Sequence, residues 1–186
     1  MNDSVTDGVD VRAELLEVGA HDIRSGGDLL AEFVEYADSP HSWKREYRPD
    51  HFTTSALVAN EDASRVLLGL HGKVGRWLQF GGHIEPADTS LVAAARRETE
   101  EESGLAELTL LSPRPIALDA HGAPCGNGAE RHLDIQYVFV ADEQSPAVSS
   151  DESLAVSWFD VSELPADTDA SVRRLVQAAV DQLRSL

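Results

Sequence analysis

The chain has 186 residues, enough to bury one hydrophobic core, and this length favours a single domain with an extension over two domains. Its 15 lysines and arginines against 33 aspartates and glutamates give a formal net charge of −18, which disfavours nucleic-acid polymers and anionic membrane surfaces as partners. Hydrophobic residues make up 42% of the chain, too many for a disordered protein, and no apolar run approaches the roughly 20 residues of a membrane span.

The N-terminus and the cysteine content indicate the cellular compartment. The first residues are acidic, and they lack the basic start and apolar core of a signal peptide. Cys125 is the single cysteine, which excludes a disulfide within the chain and suits a reducing compartment. We therefore expect a cytoplasmic protein.

Residues 1–50 have helical character and are expected to form a helical N-terminal extension. The apolar residues Leu29, Leu30, Phe33 and Val34 recur at the spacing of one helix face. A weaker helix is predicted over residues 11–18. The role of this extension is left open between covering a pocket and forming the interface of a homodimer.

Residues 51–186 are expected to form the main domain. Residues 52–60 and 64–70 read as a β-hairpin, and a Gly-Gly segment then leads to a helix from about Ser90 to Ser103 that Gly104 terminates. Strand-like residues 108–120 and 132–141 flank a Gly-rich loop, and residues 154–161 form a last short strand before an amphipathic C-terminal helix. These spacings predict an α/β or α+β domain with a mixed sheet between helices.

The strand at residues 132–141 alternates cleanly between apolar and polar side chains. Its apolar positions predict a core face, whereas His132, Asp134 and Gln136 share the other face. At least one of these three side chains is expected to line a polar pocket and bind substrate.

Acidic residues crowd the end of the helix predicted after the glycines. With about 100° per residue, Glu102 and Glu101 lie about 40° and 60° to either side of Glu98, whereas Glu100 points nearly opposite. The first three carboxylates continue the apolar stripe that begins at Leu91. Like charges at these spacings cost roughly 0.2–0.5 kcal/mol per pair, and anions at a helix C-terminus oppose the macrodipole.

A divalent cation would offset these costs. Carboxylate oxygens are the ligands that hard cations such as Mg²⁺ and Mn²⁺ prefer, and these ions often bind substrate phosphates in the same coordination shell. We therefore predict that Glu98, Glu101 and Glu102 bind Mg²⁺ or Mn²⁺. Glu100 is expected to be solvated.

The segment from Gly82 to Leu105 resembles the signature of the Nudix hydrolase family. It supplies Gly82, five residues, Asp88, eight residues, and then Arg97, Glu98, Thr99 and a run that continues through Glu101, Glu102 and Gly104 to Leu105. Three positions depart from the family pattern: Asp88 replaces a glutamate, one extra residue precedes Arg97, and Thr99 stands at an apolar position. The resemblance covers about residues 52–164.

The resemblance implies a Nudix-like α/β/α sandwich and a divalent-metal-dependent pyrophosphohydrolase that cleaves a diphosphate linkage in a small nucleoside diphosphate derivative. By the same resemblance, the Gly82 carbonyl assists the metal-binding glutamates, Arg97 orients a glutamate, and Glu98, Glu102 or Glu152 is the catalytic base. In the family the first glutamate of the signature usually braces the arginine, and Asp88 is expected to reach Arg97 in its place.

Other residues have both a functional and a structural interpretation. Glu152 is either a further metal-binding or base glutamate or an exposed loop acid. His83 either binds substrate, by contacting a phosphate or acting in proton transfer, or is held by loop hydrogen bonds. Weaker pocket candidates are Asp119 and His121. We expect Trp77 and Trp158 to pack in the core, Cys125 to be incidental, and the cations Arg45, Arg48 and Lys73 to be mostly solvated, although they are candidates for phosphate binding.

Two alternative functions compete with hydrolysis. A Nudix-like sensor would bind a nucleotide without turnover, but such modules typically lose the carboxylates that this chain retains. An isopentenyl diphosphate isomerase would require a cysteine ahead of the signature, whereas Cys125 follows it.

Overall fold

The computed structural model describes residues 8–19, 22–122, 130–149 and 153–186, in which eight strands form one mixed sheet. The helices are α1 (Val11–Leu16), α2 (Leu30–Tyr36), α3 (Leu91–Ser103) and α4 (Ala170–Leu183), with a 3₁₀ turn at Gly27–Leu29. The strands are β1 (His51–Ala59), β2 (Arg65–His71), β3 (Trp77–Leu78), β4 (Phe80–His83), β5 (Thr109–Leu110), β6 (Ala117–Gly122), β7 (Arg131–Val140) and β8 (Ser153–Asp160).

The sheet has the order β3-β2-β1-β7-β5, and three further strands pair beside this path. Strand β1 is parallel to β7 over its full length, whereas its pairings with β2 and β4 are antiparallel. Strand β6 pairs with β7, and β8 pairs with β2. The expected mixed sheet and hairpin are therefore present. The single strand expected over residues 108–120 is wrong, because β5 and β6 are separated by a segment with prolines at 113 and 115.

Helices cover both faces of the sheet, which confirms the expected α/β/α sandwich. On one face, alternate residues of β1 and β7 such as Phe52 and Leu133 pack with α1, α2 and Leu91 of α3. On the other face, Leu57 and Val138 pack under α4. None of the helices in the described ranges combines the length and apolar character needed to cross a membrane.

The face under α4 is divided into an apolar half and a polar half. The apolar half, near the ends of β1 and β7, is buried against α4. Earlier along the same strands, the positions on this face carry polar residues: His51, Thr53 and Ser55 on β1, and His132, Asp134 and Gln136 on β7. We call these six residues the polar floor.

The N-terminal helices share the core of the sheet rather than forming a separate layer. Phe33 of α2 contacts Phe52 of β1 with ring centroids 5.7 Å apart. Asp50, which is buried, binds Arg131 at the start of β7, and Arg131 also binds Glu32 of α2. Helix α1 ends at Leu16, two residues before the predicted end.

Helix α3 begins and ends at the expected residues, and it has an additional cap from α1. Ser90 Oγ accepts the N–H of Ala93, and Gly104 follows the helix in the left-handed conformation, with φ of 70°. Both carboxylate oxygens of Glu14 lie 3.1 Å from the N–H of Leu91. Because this N–H is at the positive end of the helix, a carboxylate there is favourable.

We predict that Glu14→Ala lowers the free energy of unfolding by about 0.5–2 kcal/mol, the usual cost of losing an N-terminal cap. Glu17→Ala is the matched control, because Glu17 directly follows the same helix and is exposed. Its effect is expected to stay within about 0.5 kcal/mol. Urea denaturation measures both, and equal losses would contradict the assigned cap.

Candidate active site

Two glutamates of α3 lie directly over the glycines of β4. The N–H of Gly81 donates to Glu102 Oε2 at 3.2 Å, and Glu102 is 9% exposed. A Cβ at position 82 would lie 2.7 Å from the carboxylate carbon and both oxygens of Glu98. A Cβ at position 81 would lie 2.3 Å from Cβ of Ser55 on the opposite side. Backbone atoms of β1 leave no room for a side chain at position 81, and glycine at position 82 leaves the space that the Glu98 carboxylate occupies.

Arg97 joins the three segments that form this site. Its Nε and Nη2 donate to the two carboxylate oxygens of Asp88 at 3.1 and 3.0 Å, and Nη2 also donates to the His83 carbonyl at 2.9 Å. Its Nη1 donates to Glu98 at 2.9 Å and to Glu101 at 3.3 Å. The hydrogen bonds to Asp88, followed by those to Glu98, raise the pKa of Arg97 above its ordinary value. The guanidinium is therefore a permanent charge between carboxylates.

The substituted position Asp88 thus makes the contact expected of it. It is buried, and its Oδ2 also accepts the N–H of Glu85, so the loop between β4 and α3 closes around Asp88. Arg96, the neighbouring arginine, instead donates to the Leu108 carbonyl and lies over the ring of Phe139. This difference identifies Arg97 as the arginine of the site.

The glutamates do not all share the buried stripe that the helix period predicted. The side chain of Glu98 is 14% exposed, but that of Glu101 is 61% exposed and extends toward Arg97. The buried side of α3 is centred instead on Ala95, Thr99 and Glu102. The expectation that Glu101 is partly buried is wrong. The buried stripe is centred on the Glu102 side of Glu98, away from Glu101. Glu100 is 40% exposed in its side chain and pairs with Arg96 at 3.5 Å.

The donor set of this site suits a hard divalent cation. Glu98 and Glu101 both reach the same nitrogen of Arg97, so their carboxylates are close together, and Glu102 adds a third carboxylate one turn beyond Glu98. A single guanidinium does not neutralise three carboxylates together with Asp88. Among the described residues, however, these glutamates do not form a group of three ligand atoms within 4.8 Å of one another. The group that meets this distance consists of histidines.

The polar floor contains a buried carboxylate whose oxygens already accept hydrogen bonds from neighbouring side chains. Asp134 is 2% exposed and accepts from Thr53 Oγ1 at 3.1 Å, Ser55 Oγ at 2.6 Å and Gln136 Nε2 at 2.9 Å. Gln136 is equally buried. The structure therefore places Asp134 and Gln136 inside the sheet face, where they orient their neighbours, and leaves His132 and His83 as the more accessible pocket candidates.

Four histidines from four strands converge beside this network. Nε2 of His83 and Nε2 of His51 lie 3.1 Å apart, and the ring of His132 lies 4.9 Å from that of His51. His121 stands 5.4 Å from His132 and binds Asp119 at 3.0 Å. Burial, followed by neighbouring positive groups, lowers the pKa of His83 to about 4 and that of His132 to about 3. The imidazoles of His83 and His132 are therefore neutral at physiological pH.

Several residues of the site were not singled out from the sequence. His51, Thr53 and Ser55 occur in what reads as an ordinary strand, and Glu14 reads as a helix surface residue. Arg45, expected to be solvated, is near enough to His51, His83 and His132 to lower the pKa of each. Trp77 and Trp158 pack against the core as expected. Glu152 and Cys125 lie outside the described residues.

Known proteins share both the sequence pattern and this architecture. The NUDIX domain family model matches residues 49–179. The oxidized purine nucleoside triphosphate hydrolase of Danio rerio is 32% identical over 112 residues, which are 59% of this chain and 67% of that protein.

Solved structures agree with this match. A C. elegans Ap4A hydrolase has a TM-score of 0.62 at 16% identity, over 73% of this chain and 98% of that chain. The E. coli dihydroneopterin triphosphate pyrophosphohydrolase has a TM-score of 0.59 at 22% identity, over 72% and 96%. The family resemblance and the Nudix α/β/α fold are confirmed.

The chain belongs to the Nudix family, and it is a Nudix hydrolase. The Gly-Gly strand β4, the arginine Arg97 and the glutamates of α3 are its signature segment.

We predict that His132 makes stability fall as the pH is lowered. Its pKa is 6.5 in the unfolded reference and about 3 in the fold, so between these values the unfolded chain binds the additional proton. In buffer with a chelator, the drop in melting temperature from about pH 7 to about pH 5 is expected to be smaller in His132→Gln than in the wild type. The exposed control His41→Gln should keep the full drop. An unchanged drop in His132→Gln would contradict the burial-induced shift.

Proposed function

We propose that this Nudix hydrolase cleaves, with Mg²⁺ or Mn²⁺, a diphosphate linkage in a small nucleoside diphosphate derivative. The observation that carries the proposal is the placement of Glu98 and Glu102 over Gly81 and Gly82, with Arg97 fixed to Asp88 beside them. Acidic groups held this close in a chain of net charge −18 are expected to bind a cation.

Glu98, Glu101 and Glu102 would hold the metal, with help from the Gly82 carbonyl. When bound, such an ion neutralises the charge that develops on the phosphates and lowers the pKa of an attacking water. Of the three glutamates, Glu101 is the one that would have to turn toward the ion. Its carboxylate is exposed, so it can leave Arg97 with little desolvation cost. Glu98 and Glu102 are already positioned by the strand and by Arg97.

The chain's own groups supply orientation and proton transfer. Arg97 holds one oxygen of Glu98, and the Gly81 N–H holds one oxygen of Glu102, so each carboxylate has a fixed direction. Fixed placement of reacting groups removes an entropic part of the barrier. Glu98, Glu102 and Glu152 are the candidate bases for the attacking water, and a general base typically contributes 10²–10⁴-fold in rate.

The substrate is proposed to be a small molecule that reaches from the glutamates toward the polar floor. His83 joins the two regions, because its carbonyl binds Arg97 while its side chain lies beside His51. Asp134 would act in substrate binding by holding Thr53 and Ser55, and Gln136 by holding Asp134, rather than by direct contact. Nucleoside triphosphates are the first class to test, because the Danio rerio relative is an oxidized purine nucleoside triphosphate hydrolase.

The acidic surface and the lone cysteine support a cytoplasmic enzyme that acts on free nucleotides.

Homodimer formation stays a prediction. In this chain the N-terminal helices contribute to the core and to the cap of α3, so truncating them is expected to impair the fold itself.

We expect Glu102→Gln to lower kcat/KM by at least about 10²-fold, because it removes a charge from the metal-binding set and from the candidate bases. Glu100→Gln is the matched control on the same turn; its side chain pairs with Arg96, and its effect should remain within about threefold. The assay incubates each protein with Mg²⁺ or Mn²⁺ and oxidized and ordinary nucleoside triphosphates, dinucleoside polyphosphates, nucleotide sugars and ADP-ribose, with products identified by mass.

Two outcomes would contradict this proposal. One is a complete lack of product across the panel with either metal, and tight calorimetric binding of an intact nucleotide would then identify a sensor. The other is equal activity of the Glu102→Gln and Glu100→Gln variants, which would remove the glutamate site from the reaction.

A further inference from the structure

Four of the seven histidines in the chain come together on one face of the sheet. The strand pairing brings them there: His51 of β1 is opposite His132 of β7, and His121 of β6 is opposite His132 on its other side. His83 of β4 is opposite Thr53, one position along the same face of β1. His83 and His132 are candidate substrate contacts, but the proposed metal site at the glutamates uses none of these four imidazoles.

Three of these imidazoles have the spacing of a metal site. Each of His51, His83 and His132 offers one ring nitrogen, and the three nitrogens lie within 4.8 Å of one another. The ligands of a tetrahedral zinc ion, with Zn–N bonds of about 2.0–2.1 Å, stand roughly 3.4 Å apart. The Nε2 atoms of His51 and His83 are 3.1 Å apart, close to this separation.

We propose that His51, His83 and His132 form a second metal site, which binds a divalent transition-metal ion of the Zn²⁺ class through three imidazole nitrogens. Three protein ligands leave a fourth position for water or another small ligand, as in open zinc sites. Imidazole suits zinc, nickel and copper, whereas Mg²⁺ and Mn²⁺ prefer oxygen ligands. The ligand chemistry therefore distinguishes this site from that of Glu98, Glu101 and Glu102.

The surroundings of the three histidines are compatible with such an ion. Metal binding requires neutral imidazoles, and burial lowers the pKa of each of the three rings. Arg45 opposes a cation there, because its charge reaches all three rings. On the other side, Asp119 and Asp134 reach His121 and add negative charge to the same face. We therefore expect weaker binding than at a closed structural zinc site.

The second site lies across β4 from the hydrolytic one. The peptide of His83 binds Arg97, whereas its side chain lies on the opposite face, beside His51. An ion on the imidazole would fix the strand whose glycines contact Glu98 and Glu102. Occupancy of this site goes beyond the proposed hydrolysis and does not depend on it.

The test is calorimetric titration of the full chain with Zn²⁺ in excess Mg²⁺, which competes for the carboxylates. We expect about one Zn²⁺ to bind per chain, with affinity reduced at least about 100-fold in His132→Gln and in His83→Gln, since loss of even an outer-shell partner costs 10–100-fold. His41→Gln, at an exposed position, is the control and should bind as the wild type does. A Glu101→Gln, Glu102→Gln double variant should also retain the site.

Two further readouts keep the test independent of folding and of activity. Circular dichroism shows whether each variant is folded, and Co²⁺ in place of Zn²⁺ should give visible absorption bands in the wild type that both histidine variants lose. Unchanged Zn²⁺ affinity in folded His132→Gln and His83→Gln would overturn the proposal. So would loss of Zn²⁺ binding in the glutamate variant alone, because that result would assign the ion to the hydrolytic site.

Discussion

One guanidinium holds together the parts of the molecule on which the site depends. Arg97 is on α3, Asp88 is in the preceding loop, and the His83 carbonyl is on β4, so its hydrogen bonds fix helix, loop and strand relative to one another. The same side chain lies between Glu98 and Glu101. Hydrogen bonds to charged groups contribute about 1.5–3 kcal/mol where they are sheltered from water, as those to Asp88 and Glu98 are, which is enough to offset the repulsion among neighbouring carboxylates.

This constraint explains why the signature tolerates its departures. A shorter aspartate replaces the glutamate, yet the loop closes on itself through the Glu85 N–H and brings Asp88 to Arg97. Thr99 takes an apolar position while fully buried, because its hydroxyl donates to the Ala95 carbonyl one turn earlier. In both cases the polar group is satisfied locally, so that burial does not leave an acceptor or a donor unpaired.

Local features of the fold could be predicted from the sequence, and long-range contacts could not. The period of α3, its Ser90 cap and its Gly104 terminator are encoded within fifteen residues, and the alternation of β7 is visible in one segment. The parallel pairing of β1 with β7 joins residues about 80 positions apart. Since no local pattern specifies that pairing, the convergence of His51 with His132 could not be derived.

The direction in which the side chains point also could not be predicted from the sequence. A helical period places Glu101 about 60° and Glu102 about 40° from Glu98, but the packing of Thr99 and Ala95 turns the buried side of α3 away from Glu101. Likewise, the polar face of β7 was read as a set of equivalent pocket residues. Thr53 and Ser55 of β1 bind Asp134, which is buried, whereas His132 stays partly exposed.

The most direct measurement is a crystal structure of the protein with Mn²⁺ and a non-hydrolysable nucleotide, with manganese located by its anomalous scattering. The account predicts manganese bound by Glu98 and Glu102, with Glu101 turned from Arg97 toward the ion, Arg97 still on Asp88, and the phosphates in the same coordination shell. Manganese located at the three histidines, or a nucleotide bound with no manganese at the glutamates, would contradict the account.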